Sequence, residues 1–324
     1  MKIEKSSERN FKTIPKRLLV GVYLILPFLL GVIAVDWFFL DARLLPHFGI
    51  EGLFLPFFIL LFNLPHIIAS FFSFFDSEYV QYYRRHLTLY LPLLLTATAV
   101  LLYYDFVLGL VFFLVNDIWH GVRQQAGISL ILGSKYGMIH RLWTILPFIT
   151  ASIAYVYIIR PNAYPDFLVS YISPVLLIGM ILFFFVMIAK IVTSPIGARW
   201  FVFFASMLFF SSYFFILSGY IFFSIFAFRF VHDVSAFAFY VTHDYNRASA
   251  GYKNYFYRLF FALPNHILVA VPILGILFAY LIRVATNGLA IGYSIVILIC
   301  MSHFYLESVM WKRNAPHRTF VKVQ

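Results

Sequence analysis

The sequence predicts an all-α polytopic transmembrane bundle of about ten spans with both termini cytoplasmic, and three observations lead there. The 324 residues are 63% hydrophobic and only 11% charged, with a mean hydropathy of +0.90. A soluble domain is roughly 45–50% apolar and about 25% charged, so this chain cannot cover a water-facing surface with polar groups. The apolar residues fall in long continuous runs, and a ~30 Å hydrocarbon core takes about 20 helical residues to cross. A β-barrel would show ~10-residue alternating segments instead. Finally, Lys and Arg collect in alternate connections. The composition also excludes a disordered chain, a collagen-like fibre and a disulfide scaffold, and the single Cys300 cannot form an intrachain disulfide.

The spans follow in order. Residues 1–17 are a basic cytoplasmic tail, 18–311 one transmembrane domain and 312–324 a basic C-terminal tail. The first span, Leu18–Leu40, exceeds the usual 7–15 residue core of a signal peptide and no small-x-small site follows, so it is expected to remain as an anchor. The second, Gly52–Phe74, contains Asn63-Leu64-Pro65-His66, where Pro65 is expected to kink the helix. His86–Tyr104 follows the Arg84-Arg85 pair. Phe106–Gly127, Leu142–Ile159 and Phe167–Val192 are the fourth to sixth. Trp200–Tyr220 and Phe222–Thr242 are divided only by the weak turn signal Ser218-Gly219. Phe260–Ile282 and Leu289–Met310 complete the set.

Orientation comes from the basic residues. The tails and alternate loops carry 20 of the 24 Lys and Arg, leaving Arg43, Arg160, Arg229 and Arg283 for the other side. The net charge of +11 is read as membrane orientation and contact with anionic headgroups. No nucleic-acid motif accompanies it.

Polar residues inside a bilayer are costly, by roughly 2.5–3.5 kcal/mol for a central Asp, Lys or Arg, so their positions carry information. His66, His120 and His303 each lie 14 residues into a span that runs toward the cytoplasm, and His232 lies ten residues into another. Four separate helices therefore bring histidines to similar depth in the cytoplasmic leaflet. Asp117 and His120 share a helix face, as do His303 and Glu307, and Asp233 follows His232. Carboxylate and imidazole one turn apart are how helical bundles build di-iron and di-manganese sites, and that donor set with open positions suits iron doing oxygen chemistry. One or two iron ions, or another transition metal, are the expected cofactor. His66, His120, His232 and His303, with Asp117, Asp233 and Glu307, are the expected metal-site residues.

His86 and His140 at span starts, His243-Asp244 and His266 are additional candidates. Asn63, Asn116, Arg123, Gln124 and Gln125 are expected to line a polar pocket, because the segment Asn116–Gln125 is too polar to face lipid. His47 and His317 are read as loop residues, Phe320-Val321-Lys322 as an interfacial anchor, and Asp36-Trp37 and Lys190 as span ends whose polar groups reach the interface.

The Pro65-His66 pair inside an apolar helix, with further histidines on later helices, resembles the Brp/Blh family of integral-membrane enzymes. In this chain Ile67 follows the pair and the next Asp is Asp76. The resemblance implies cleavage of β-carotene to retinal with histidine-bound iron, the ligands being His66, His120, His232 and His303. The closely spaced boxes of histidine-box hydroxylases and desaturases are absent.

The expected function is a metal-dependent oxygenase, hydroxylase or desaturase-like enzyme for an apolar lipid or isoprenoid substrate. It would sit in a membrane, expected to be a bacterial inner membrane, with an electron-donor protein as partner and no nucleic acid. The alternative is a proton- or ion-coupled transporter using the same His, Asp and Glu residues. A scaffold without chemistry is a third reading, under which the histidines serve folding alone.

Overall fold

The structure is a computed structural model that describes residues 11–48, 63–159, 164–251, 254–260, 266–287, 289 and 291–324. Among these residues the chain is helical, with no β-structure beyond isolated bridges such as Ile14–Val323. The helices are α1 (Lys16–Phe39), α2 (Leu64–Phe72), α3 (Ser77–Tyr82), α4 (His86–Tyr104), α5 (Phe106–Ile131), α6 (Met138–Ile159), α7 (Asp166–Thr193), α8 (Ile196–Leu217), α9 (Ile221–Ser249), α10 (Tyr255–Phe260), α11 (Ile267–Thr286) and α12 (Gly292–Met310). Nine helices among the described residues are long and apolar enough to cross a membrane. They match nine of the ten expected spans. The second expected span falls partly outside the described residues, and its described part is α2.

Local chemistry sets the boundaries. The Asp105 side chain accepts from Leu108 N at 3.0 Å and starts α5, while Asp76 caps α3 through Glu78 N at 2.9 Å. Each satisfies a backbone N–H that a helix start leaves without a partner. Pro65 sits in the first turn of α2, and the residues before Asn63, on which the expected kink depends, lie outside the described residues. Gly219, at φ +82°, makes the turn between α8 and α9, which divides the seventh and eighth spans where Ser218-Gly219 had pointed.

The chain forms two units. One comprises Met1–Lys16, Ile59–Val100 and Asp233–Gln324, the other Arg17–Phe58 and Leu101–His232. The boundary falls inside α9.

In the first unit, α2 packs between α11 and α12 around an apolar core that includes Leu64, Ile68, Phe72, Val271 and Leu306. A Cβ on Gly275 would meet the Pro65 carbonyl oxygen at 2.7 Å, so glycine is what lets α11 approach the start of α2 this closely. Residues 312–324, read as a tail, fold back here. Ile14 N donates to Lys322 O at 2.8 Å, and Asn246 Nδ2 donates to Phe320 O at 2.7 Å.

In the second unit, α6 packs on α7, and α5 on α6 and α8. A Cβ on Gly121 would meet the Phe228 ring at 2.5 Å, so glycine again sets a close approach, of α5 to α9. Two residues read as interfacial are buried in this unit. Asp36 accepts from Tyr220 OH at 2.6 Å and Leu44 N at 2.9 Å. Lys190 donates from Nζ to Lys135 O at 3.3 Å. Both find hydrogen-bond partners inside the protein and have no need to reach water. Arg229, counted with the outer connections, lies inside α9 and is buried.

Candidate metal centre

The first unit brings His66, Asp233, His303 and Glu307 together, from α2, α9 and α12. The exposure of His66, Asp233 and His303 is 0%, and Glu307 is buried. His66 Nδ1 lies 3.1 Å from Asp233 Oδ1. The rings of His66 and His303 stand edge to face with centroids 4.8 Å apart. A ligand atom of His66 and one of His303 lie within 4.8 Å, as do one of His303 and one of Glu307.

The surrounding groups hold these side chains in orientation. Ser70 Oγ donates its one proton to Ile67 O at 2.6 Å. The 2.9 Å contact between His303 Nδ1 and Ser70 Oγ must then be donated by the imidazole. Nδ1 of His303 therefore carries the hydrogen, and Nε2 keeps its lone pair for a ligand. For His66, a carboxylate beside Nδ1 favours the N–H on that atom, which leaves Nε2 as the donor here too. Glu307 is held by Tyr240 OH and by Trp311 Nε1, the latter at 3.3 Å. Imidazole and carboxylate donors suit Fe, Zn or Cu, and the pairs His66–His303 and His303–Glu307 each belong to a three-residue group that could hold a metal ion.

The second unit holds the other histidine pair. The His120 and His232 rings lie edge to face at 4.8 Å, on α5 and α9. Gln124 Nε2 donates to His232 O at 3.3 Å and Gln125 Nε2 to Gln124 Oε1 at 3.3 Å, while Tyr23 OH donates to Gln125 Oε1. Asp117, expected near the metal, forms an ion pair with Arg229. The four-histidine site expected from the sequence draws on both units and stays an expectation.

The remaining candidates separate. Arg123 is exposed, its guanidinium 5.4 Å from the Trp119 ring centroid, where a cation is favoured by the ring face. Asn116 Nδ2 donates to Phe112 O at 2.8 Å, a local bond within α5. Asn63 is half-buried at the start of α2. His266 is exposed at the start of α11. His140 is buried in the second unit beside Trp143. His86 Nδ1 pairs with Tyr305 OH at 2.6 Å in the first unit.

His243 and Asp244 form a second buried group, in the first unit. Tyr79 OH lies 2.8 Å from His243 Nε2, and His243 Nδ1 2.8 Å from Asp244 Oδ1. Tyr257 OH donates to Asp244 Oδ2. His317, read as a loop residue, is fully buried and stacked on Tyr79 with centroids 4.0 Å apart. Its burial reflects the return of the C-terminal segment to the helices.

Sequence reasoning missed Ser70, Tyr240, Tyr79 and His317. Ser70 is four residues from His66 and so on the same face, a signal that was there to use. The other three come close only through packing between distant segments. Comparison with protein-family models, curated proteins and solved structures finds no match to this chain.

Proposed function

We propose that this chain is an integral-membrane, metal-dependent oxidoreductase, of the oxygenase, hydroxylase or desaturase type, acting on an apolar lipid or isoprenoid substrate. The observation that carries the reading is the approach of buried His303 to both His66 and Glu307, with Asp233 beside His66, inside an apolar helical core. Burying two imidazoles beside two carboxylates is costly unless the charges are compensated, and a cation compensates both carboxylates.

In this reading His66 and His303 bind through Nε2 and Glu307 through a carboxylate oxygen. Iron is the preferred ion, since two histidines and a carboxylate with open positions suit iron oxygenases. When bound, the metal supplies redox chemistry with dioxygen. Asp233 orients His66, Ser70 fixes the tautomer of His303, and Tyr240 steadies Glu307. Leu64, Ile68, Phe72 and Val271 supply apolar surroundings that keep water away and favour an apolar substrate. We further propose that both termini face the cytoplasm of a bacterial inner membrane, where an electron-donor protein reaches the chain. The basic residues concentrated on one side support that orientation.

The test is metal analysis of full-length protein purified in detergent. The wild type is expected to carry a transition metal that chelation removes and that the His66→Ala/His303→Ala variant fails to retain. A wild type purified without metal overturns the proposal. In that case, metal-independent proton flux in proteoliposomes would support the transporter alternative.

A further inference from the structure

The group around His243 lies outside the candidate metal centre, and its chemistry is different. The cavity beside Tyr79, His243, Asp244 and Tyr257 has room for about one water molecule, too little for an organic substrate. What the group can handle is a proton and an electron. The carboxylate of Asp244 holds the hydrogen of His243 on Nδ1, so Nε2 is a base facing the Tyr79 hydroxyl at 2.8 Å. Tyr257 OH and Ser73 Oγ, the latter at 3.3 Å, keep Asp244 in place. This is the same order of carboxylate, imidazole and hydroxyl that activates a hydroxyl in hydrolases, with a phenol in the hydroxyl position.

The rings around Tyr79 continue in both directions within the first unit. Toward the candidate metal centre, Trp311 lies 6.3 Å from His243 and 5.9 Å from His317, and its Nε1 donates to Glu307 Oε1 at 3.3 Å. Away from it, His317 stacks on Tyr79 and accepts or donates a 3.1 Å bond with Tyr83 OH. The Tyr83 ring then lies 4.8 Å from that of Tyr82, which is 58% exposed.

We propose that Tyr79 is a redox-active tyrosine, with His243–Asp244 as its proton acceptor, on an aromatic path between Glu307 and the surface at Tyr82. The proposal rests on the metal reading for its physiological oxidant, the oxidised metal centre. One electron leaves the Tyr79 ring for that oxidant by way of Trp311. The O–H bond breaks and its proton moves to His243 Nε2, giving a neutral tyrosyl radical and an imidazolium held by Asp244. A one-electron donor protein of the iron–sulfur or flavin class, docking near Tyr82, returns the electron, and the proton goes back to the phenolic oxygen.

Two features of Tyr79 suit it to this role, and its base sets it apart from Tyr83. Burial pushes the Tyr79 hydroxyl well above its ordinary pKa, so it is a neutral phenol and needs a base to lose an electron. Arg247 lies over its ring at 5.0 Å, which disfavours a radical cation and favours loss of the proton together with the electron. Tyr83 faces His317, whose basicity is lowered by burial and by His243 and Arg247. Tyr79 faces an imidazole with a carboxylate partner.

The experiment uses full-length protein in detergent, stripped of metal by chelation and oxidised by photogenerated ruthenium(III) tris-bipyridine. The absence of metal separates this test from that of the metal reading. Electron paramagnetic resonance is expected to detect a persistent tyrosyl radical in the wild type. Tyr79→Phe and His243→Gln should each lose it, the second keeping an acceptor for the hydroxyl without a base. Tyr305→Phe, which removes another histidine-bonded phenol, should retain it. A persistent radical in Tyr79→Phe, or none in the wild type, overturns the proposal.

Discussion

The hydroxyl of Ser70 determines which nitrogen of His303 carries the hydrogen, because its only proton is committed to Ile67 O. Ser70→Ala removes the acceptor for His303 Nδ1–H while leaving the ring in place. The imidazole is then free to change tautomer or rotate. Loss of such a supporting bond typically weakens metal affinity about 10–100-fold. In the proposed metal centre, Ser70→Ala is therefore expected to bind a transition metal more weakly by that margin with little change in thermal stability, as measured by chelator competition. Unchanged affinity would mean that Ser70 does not control the ligand. The residue pair Asp117 and Arg229 teaches the opposite lesson. Asp117 shares a helix face with His120, as the spacing required, yet its charge is taken up by Arg229. A carboxylate one turn from a histidine is a ligand only if no cation reaches it first.

Among the elements, the C-terminal segment depends most on one ionisable group. His317 is buried in the turn Pro316–Phe320, and burial, His243 and Arg247 all push its pKa well below the ordinary histidine value. Tyr79 and Tyr83 also face it, and both are neutral phenols held above their ordinary range by burial. A histidine whose pKa falls on folding binds fewer protons folded than unfolded. Stability is then full above an ordinary histidine pKa of about 6.5 and declines as pH falls below it toward the depressed value. Hydrogen-exchange protection in residues 312–324, taken relative to the intrinsic amide rate at each pH, is expected to fall between neutral pH and about pH 5. His317→Phe, which keeps a ring in the stack without a titrating group, should flatten that response. If the segment loosens equally in His317→Phe, His317 is not the group responsible. Helix α9 makes a related point about length: it carries both Asp233, beside His66, and His243–Asp244, beside Tyr79, which serve different groups.

For the molecule as a whole, nine helices among the described residues are long and apolar enough to cross a membrane, and the distribution of basic residues predicts their orientation. Arg43 and Asn314 are exposed and belong to connections expected on opposite sides of the membrane. Cys300 is buried, so a single introduced cysteine can be labelled against a quiet background. In intact cells a membrane-impermeant maleimide is expected to label Arg43→Cys and to label Asn314→Cys only after permeabilisation. The reverse pattern would invert the orientation and place the basic tails outside.

Composition and run length alone specify a helical membrane bundle, and with it the positions of nine helices and the break at Gly219. These are local properties. The free energy of transferring a segment into hydrocarbon depends on that segment's own residues, and a turn depends on its own backbone. That His66 and His303 belong to different helices was legible for the same reason. Pairing is not local. The edge-to-face contact of His66 with His303, the capture of Asp117 by Arg229 and the burial of His317 against Tyr79 all join segments far apart in the chain. Close approaches at Gly275 and Gly121 help set which helix faces meet. Until those faces are matched, an intramembrane histidine has a height but no neighbours, and its chemistry comes from its neighbours.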